Sequence, residues 1–125
     1  MKKIAVVLCF SLAAVSVSAE NWVQTSAIPE KKYYAYVDTD SISTQGNYKQ
    51  AFAKYIIIEQ DTFIISLISY DCKSNPKRNK TTYIARYNLK GDTVASGVPT
   101  GTAAEFKIAI PGSYGKKEID FVCGF

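Results

Sequence analysis

The sequence predicts an α+β domain: an antiparallel β-sheet with one C-terminal helix lying across a face, pinned there by a disulfide. Three observations carry that expectation. Strand-like segments recur through residues 32–96, from the period-two KYYAYVD at 32–38 to the β-branched and aromatic stretches 48–58 and 62–70. Pro111-Gly112-Ser113 then precedes a segment whose apolar positions suit a helix. Finally, Cys72 follows the most apolar strand segment and Cys123 closes the helical one.

The first 19 residues stand apart. Met1, Lys2 and Lys3 open a positive region, an apolar run from Ile4 to Val17 is broken only by Ser11 and Ser16, and Val17-Ser18-Ala19 supplies a small-x-small cleavage pattern ahead of Glu20. A retained membrane anchor is the rival reading. A run of 14 residues spans about 21 Å at ~1.5 Å per residue, short of the ~30 Å hydrocarbon core. Cys9 lies inside the apolar run behind Leu8, unlike the cysteine of a lipoprotein signal. Residues 1–19 are therefore expected to be a cleavable signal peptide. Residues 20–125 are expected to form one exported domain, in the periplasm, on the outer cell surface or secreted, with no stable membrane insertion.

Loss of Lys2 and Lys3 leaves 13 basic residues against 11 acidic ones, a net charge of about +2. That field is too weak to steer a protein onto nucleic acid. Only Cys72 and Cys123 remain after cleavage, and an even count in an oxidising compartment reads as one disulfide. The rival is a metal site, which two thiols without a single histidine can complete only with carboxylates.

Along the domain, residues 32–38 place Tyr34 and Tyr36 on one face and Tyr33, Ala35 and Val37 on the other. A turn-forming cluster follows, in which Asp38 or Asp40 suits the cap of a short helical turn and Gly46-Asn47 reverses the chain. Segments 48–58 and 62–70, separated by Glu59-Gln60-Asp61, read as a central hairpin, with Phe63, Ile65 and Leu67 facing away from Ile64, Ile68 and Tyr70. Residues 73–80 form a basic loop, 81–89 and 93–96 are strands, and 104–110 suit either an edge strand or an extended linker. In the final helix Ser113 is the expected N-cap, and Tyr114, Ile119 and Val122 the inward stripe.

Taken in order, Trp22-Val23, Tyr34, Val37-Asp38, Asp40-Ser41-Ile42, Gly46-Asn47-Tyr48, Tyr70-Asp71-Cys72, Pro111-Gly112-Ser113 and Cys123 resemble the surface-adhesin protein E-like family of exported bacterial domains. The resemblance covers about residues 22–123. It implies a twisted antiparallel sheet of about six strands with the C-terminal helix tied to it by the disulfide, and adhesins that bind host extracellular-matrix and plasma proteins. Phe106 stands where relatives commonly carry a Trp, and the turn at 59–61 is shorter than in many of them.

No catalytic constellation is visible, so a non-enzymatic protein without a cofactor is expected. The chain has no histidine, the commonest general base, and a disulfide would consume both remaining thiols. Asp38 and Asp40 fit turn and cap positions better than a calcium site, because the further oxygen ligands are missing from the sequence. Two sets of residues are candidates for binding. Lys73, Lys77, Arg78 and Lys80 suit an anionic glycan, a phosphate or an acidic protein segment, although such charges also solubilise a loop. Tyr34, Tyr36, Tyr83 and Tyr87 suit a macromolecular interface, a homodimer, or the margin of a small core. The Asn79-Lys80-Thr81 sequon carries little information. The expected function is an adhesin-like binding module, and the alternative is a periplasmic envelope-maintenance factor or an inhibitor of an incoming hydrolase such as lysozyme. Lysozyme is basic, and a domain of about +2 lacks the acidic face expected for it.

Overall fold

The computed structural model describes residues 20–125; the expected signal peptide lies outside the described residues. The strands are β1 (Trp22–Ile28), β2 (Tyr33–Asp38), β3 (Ser43–Gln45), β4 (Tyr48–Ile57), β5 (Thr62–Asp71), β6 (Arg78–Tyr87), β7 (Thr93–Gly97) and β8 (Lys107–Ile108), followed by helix α1 (Tyr114–Cys123). They form one open sheet in the order β1-β2-β4-β5-β6-β7, with β3 paired to β4 and β8 to β6. Every pairing is antiparallel. The main path therefore has six strands, and two short ones bring the total to eight.

The turns explain why neighbours in sequence become neighbours in the sheet. Asp38 accepts a hydrogen bond from the Asp40 amide at 3.1 Å and caps a 3-10 turn over Thr39–Ser41. Gly46, at φ 65°, reverses the chain between β3 and β4, a conformation that costs a residue with a Cβ more than it costs glycine. Between β4 and β5, a 3-10 turn at Ile58–Gln60 ends on Asp61 in the left-handed region. Nine consecutive register pairs then join these two strands, from Lys49↔Tyr70 to Ile57↔Thr62.

One face of the sheet carries the core. Val37, Ala51, Ala53, Ile68 and Tyr70 are buried there against Ile119 and Val122 of α1. The two alanines in β4 are fully covered and leave room for the helix to approach the sheet closely, whereas larger side chains would hold it off. Ser113 caps α1 by accepting from the Lys116 amide at 3.2 Å. Lys116 pairs with Asp120 one turn later at 2.6 Å. The Cys72–Cys123 disulfide, with Cα atoms 5.6 Å apart, ties the end of α1 to the residue after β5. The disulfide reading holds.

Two sequence expectations are revised, and two stretches left open are resolved. Tyr114 does not join the inward stripe; it is 42 % exposed and packs on Tyr33 with ring centroids 5.5 Å apart. At about 100° per residue it lies some 80° round the helix from Val122, and Glu118, nearer that axis, is buried instead. Strand β6 begins at Arg78, so Arg78 and Lys80 belong to a strand and not to the basic loop. Residues 22–28, not assigned to any element from sequence, form edge strand β1. The ambiguous stretch 104–110 contains β8, which lies along the start of β6 through Arg78↔Ile108 and Asn79↔Lys107.

Candidate functional site

With α1 on one side, no helix among the described residues covers the opposite side of the sheet, and register decides what it shows. Tyr34, Ile56, Phe63 and Tyr87 stand in one row across β2, β4, β5 and β6. Tyr36, Lys54, Ile65 and Ala85 form the next row, and Phe52, Leu67 and Tyr83 a third. Phe63 and Tyr87 stack with centroids 4.7 Å apart at 14°, and the Lys54 ammonium lies 4.4 Å from the centre of the Trp22 ring. Phe52 and Tyr83 are 39 % and 38 % exposed. All four tyrosines singled out from the sequence thus share one aromatic face, while Tyr33, Tyr55 and Tyr70 face the helix. Aromatic side chains gathered on one face have the composition in which protein interfaces are enriched.

The basic candidates are not one patch. Lys73 is exposed. The Lys77 ammonium lies 3.8 Å from Asp120. Arg78 donates to Asp71 at 2.7 Å, and this bond is the main reason the Asp71 carboxyl is held below its ordinary range. Arg78 and Lys80 both lie over the Phe106 ring, at 5.0 and 4.8 Å, and Phe106 packs on Tyr48. A bulge brings this group to the tyrosine face. Leu67 pairs with Tyr83 and Ile68 with Thr81, so Thr82 is the extra residue, and its hydroxyl donates to the Leu67 carbonyl at 3.0 Å. Because Ser69↔Lys80 follows Leu67↔Tyr83 two residues along β5, Lys80 and Tyr83 point to the same side. The aromatic face therefore has a cationic end.

Asp38 and Asp40 occupy turn positions. One Asp38 carboxylate oxygen accepts from the amides of Asn21 and Asp40, at 2.9 and 3.1 Å, and Asp40 is exposed. Among the described residues no group of three or more Cys, Asp or Glu side chains is placed to hold a metal ion.

On the helix side sits a feature that the sequence reading missed. Glu118, 4 % exposed, accepts one hydrogen bond from the Tyr55 hydroxyl at 2.6 Å and another from the fully buried Tyr70 hydroxyl at 2.7 Å. Burial raises the Glu118 carboxyl, and the two hydroxyls oppose that rise without cancelling it. Burial and then the Glu118 charge push Tyr55 and Tyr70 well above the ordinary phenol value and Tyr33 up to about 12. Glu118, Tyr55 and Tyr33, but not Tyr70, line a cavity of about 250 Å³ together with Tyr114, Gly115, Asn79 and Thr81. The available signal was a glutamate one residue before Ile119 and four before Val122, which places it on the inward side of the helix.

A larger hollow of about 410 Å³ lies beside β6 and β7, lined by Ile84, Arg86, Val98 and Pro99 among others. It brings no group of polar side chains together. No helix among the described residues is long and apolar enough to cross a membrane. Compared with protein-family models, with curated proteins and with solved structures, the chain finds no match in any of the three.

Proposed function

We propose that residues 20–125 are a non-enzymatic, exported envelope module that binds a host extracellular-matrix or plasma protein through the sheet face opposite α1. The observation that carries this reading is the placement of Tyr34, Tyr36, Tyr83 and Tyr87 on one open face with Arg78 and Lys80 at its end. Large aromatic rings supply contact area at low entropic cost, and adjacent cations orient an acidic partner. The resemblance to protein E-like adhesins points the same way.

The test is binding of purified residues 20–125 to immobilised laminin, vitronectin and plasminogen, with a sulfated glycan in parallel and antibody probing of intact cells. The expected result is surface exposure, saturable binding to a protein ligand, and loss of that binding in the double variant Tyr36→Ser/Tyr83→Ser with its melting temperature retained. Binding to the glycan alone, or binding indifferent to both tyrosines, would refute the reading. A dimer that buries this face and binds nothing would equally refute it.

A further inference from the structure

The cavity under the first turns of α1 has a chemistry of its own, independent of the open face. Its walls include the rings of Tyr33, Tyr55 and Tyr114. Tyr33 stacks nearly parallel to Tyr55 at 6.4 Å and lies tilted against Tyr114 at 5.5 Å. Glu118 lines the cavity too, and each of its carboxylate oxygens takes one tyrosine hydroxyl and keeps further acceptor capacity. Among the described residues no lysine or arginine lines the cavity. The three ion pairs among the described residues join Lys77 and Lys116 to Asp120 and Arg78 to Asp71, so none involves Glu118. A carboxylate this buried, with no countercharge, is costly to keep ionised. Aromatic faces carry negative potential and attract cations, above all those that shed water easily.

We propose that this cavity binds a methylated or alkylated ammonium headgroup, with Tyr33, Tyr55 and Tyr114 around the cation and Glu118 as its countercharge. A hard metal ion fits less well, because calcium takes six to eight oxygen ligands and Glu118 is the one carboxylate among the described residues lining the cavity. At about 250 Å³ the cavity falls below the ~300 Å³ at which pockets for drug-sized ligands begin. It therefore takes a headgroup and leaves the rest of the ligand outside, past the exposed ring of Tyr114.

The experiment is titration of residues 20–125, disulfide intact, with choline and tetramethylammonium at constant ionic strength, followed by amide and tyrosine ring NMR shifts. The neutral carbon isostere of choline serves as the comparison ligand. Saturable shifts confined to the cavity residues are expected, with the isostere at least about tenfold weaker, as befits a cation–π site reinforced by a charge. Glu118→Gln should weaken choline by about the same factor. Gly115→Leu introduces a side chain at the cavity wall of a helix position whose added Cβ meets nothing closer than 3.7 Å; it should abolish binding while Glu118 stays in place. Shifts absent from the cavity residues would overturn the proposal, as would a neutral isostere that binds equally well or a Gly115→Leu variant that still binds. Should Glu118→Gln fail to fold, the isostere comparison and Gly115→Leu decide.

Discussion

Replacing Tyr70 with Phe removes one oxygen atom from the centre of the domain and tests what holds α1 to the sheet. The Tyr70 hydroxyl is fully buried and donates to Glu118 at 2.7 Å. Hydrogen bonds to charged groups contribute about 1.5–3 kcal/mol, and a buried acceptor left without its partner costs about 1–3 kcal/mol. The ring itself remains, so no large cavity opens. A loss of about 2 kcal/mol is expected at neutral pH. At about 4–8 °C per kcal/mol for a domain near this size, the melting temperature should fall by roughly 10 °C. Tyr36→Phe, on the open face, should stay within about 0.5 kcal/mol of the parent. The assay is urea denaturation with the disulfide intact, repeated at falling pH.

The pH dependence has a definite sign. Burial raises Glu118 above its ordinary 4.5, so the folded state holds that proton to higher pH than the unfolded chain does. Stability from this group rises as the pH falls from neutral through the raised value. At lower pH, protonation of Asp71 and Asp120 reverses the trend, because Arg78 and Lys116 hold those carboxyls down in the folded state. Once Glu118 is neutral, the cost of Tyr70→Phe should shrink toward that of a neutral hydrogen bond, about 1 kcal/mol. A neutral-pH loss below about 0.5 kcal/mol, or one that grows on acidification, would refute the account of the Tyr70–Glu118 contact.

Three further outcomes follow from the same structure. Cys123→Ser opens a loop with a sequence separation of 51 and should cost about 4 kcal/mol on chain-entropy grounds; a melting temperature unmoved by the substitution and by reductant would show that the bond contributes nothing. Ala53→Leu places three extra carbons under α1 at a fully buried position and should cost about 1–3 kcal/mol by overpacking. A calorimetric scan showing no change would mean that the helix does not approach β4 closely. In alkali, the folded state keeps the Tyr33, Tyr55 and Tyr70 protons above the ordinary value of 10.0, so the stability these phenols contribute should be level below about pH 10 and fall above it. Ultraviolet titration should show three late-ionising phenols, and simultaneous ionisation of all nine tyrosines in the folded protein would count against the burial described.

Local features are legible in the residues alone: the two faces of β2 and β5, the turn chemistry of Asp38 and Gly46, the Ser113 cap and the two cysteines left to pair. Each is written within a few neighbouring residues, because strand pleat, φ > 0 turns and helix capping are local properties of the backbone. The sequence also placed Tyr34 and Tyr36 on the face opposite Val37. What it could not supply were the consequences of pairing between distant segments. Strict alternation would have put Lys80 and Tyr83 on opposite sides, and only the extra residue Thr82, which exists in relation to Leu67 and Ile68 of β5, brings them together. Strands β1 and β8 are weak as isolated segments and are recruited by edges that β2 and β6 offer. The spacing of Glu118 from Ile119 and Val122 turns it inward on the helix, but a carboxylate there has no partner nearby in the sequence. It becomes a buried carboxylate only because Ala51 and Ala53 draw α1 onto the sheet and set two tyrosine hydroxyls, 48 and 63 residues away in sequence, where they can satisfy it. Which face is covered, and which polar group is carried inside with it, is decided by packing between elements that have no contact along the chain.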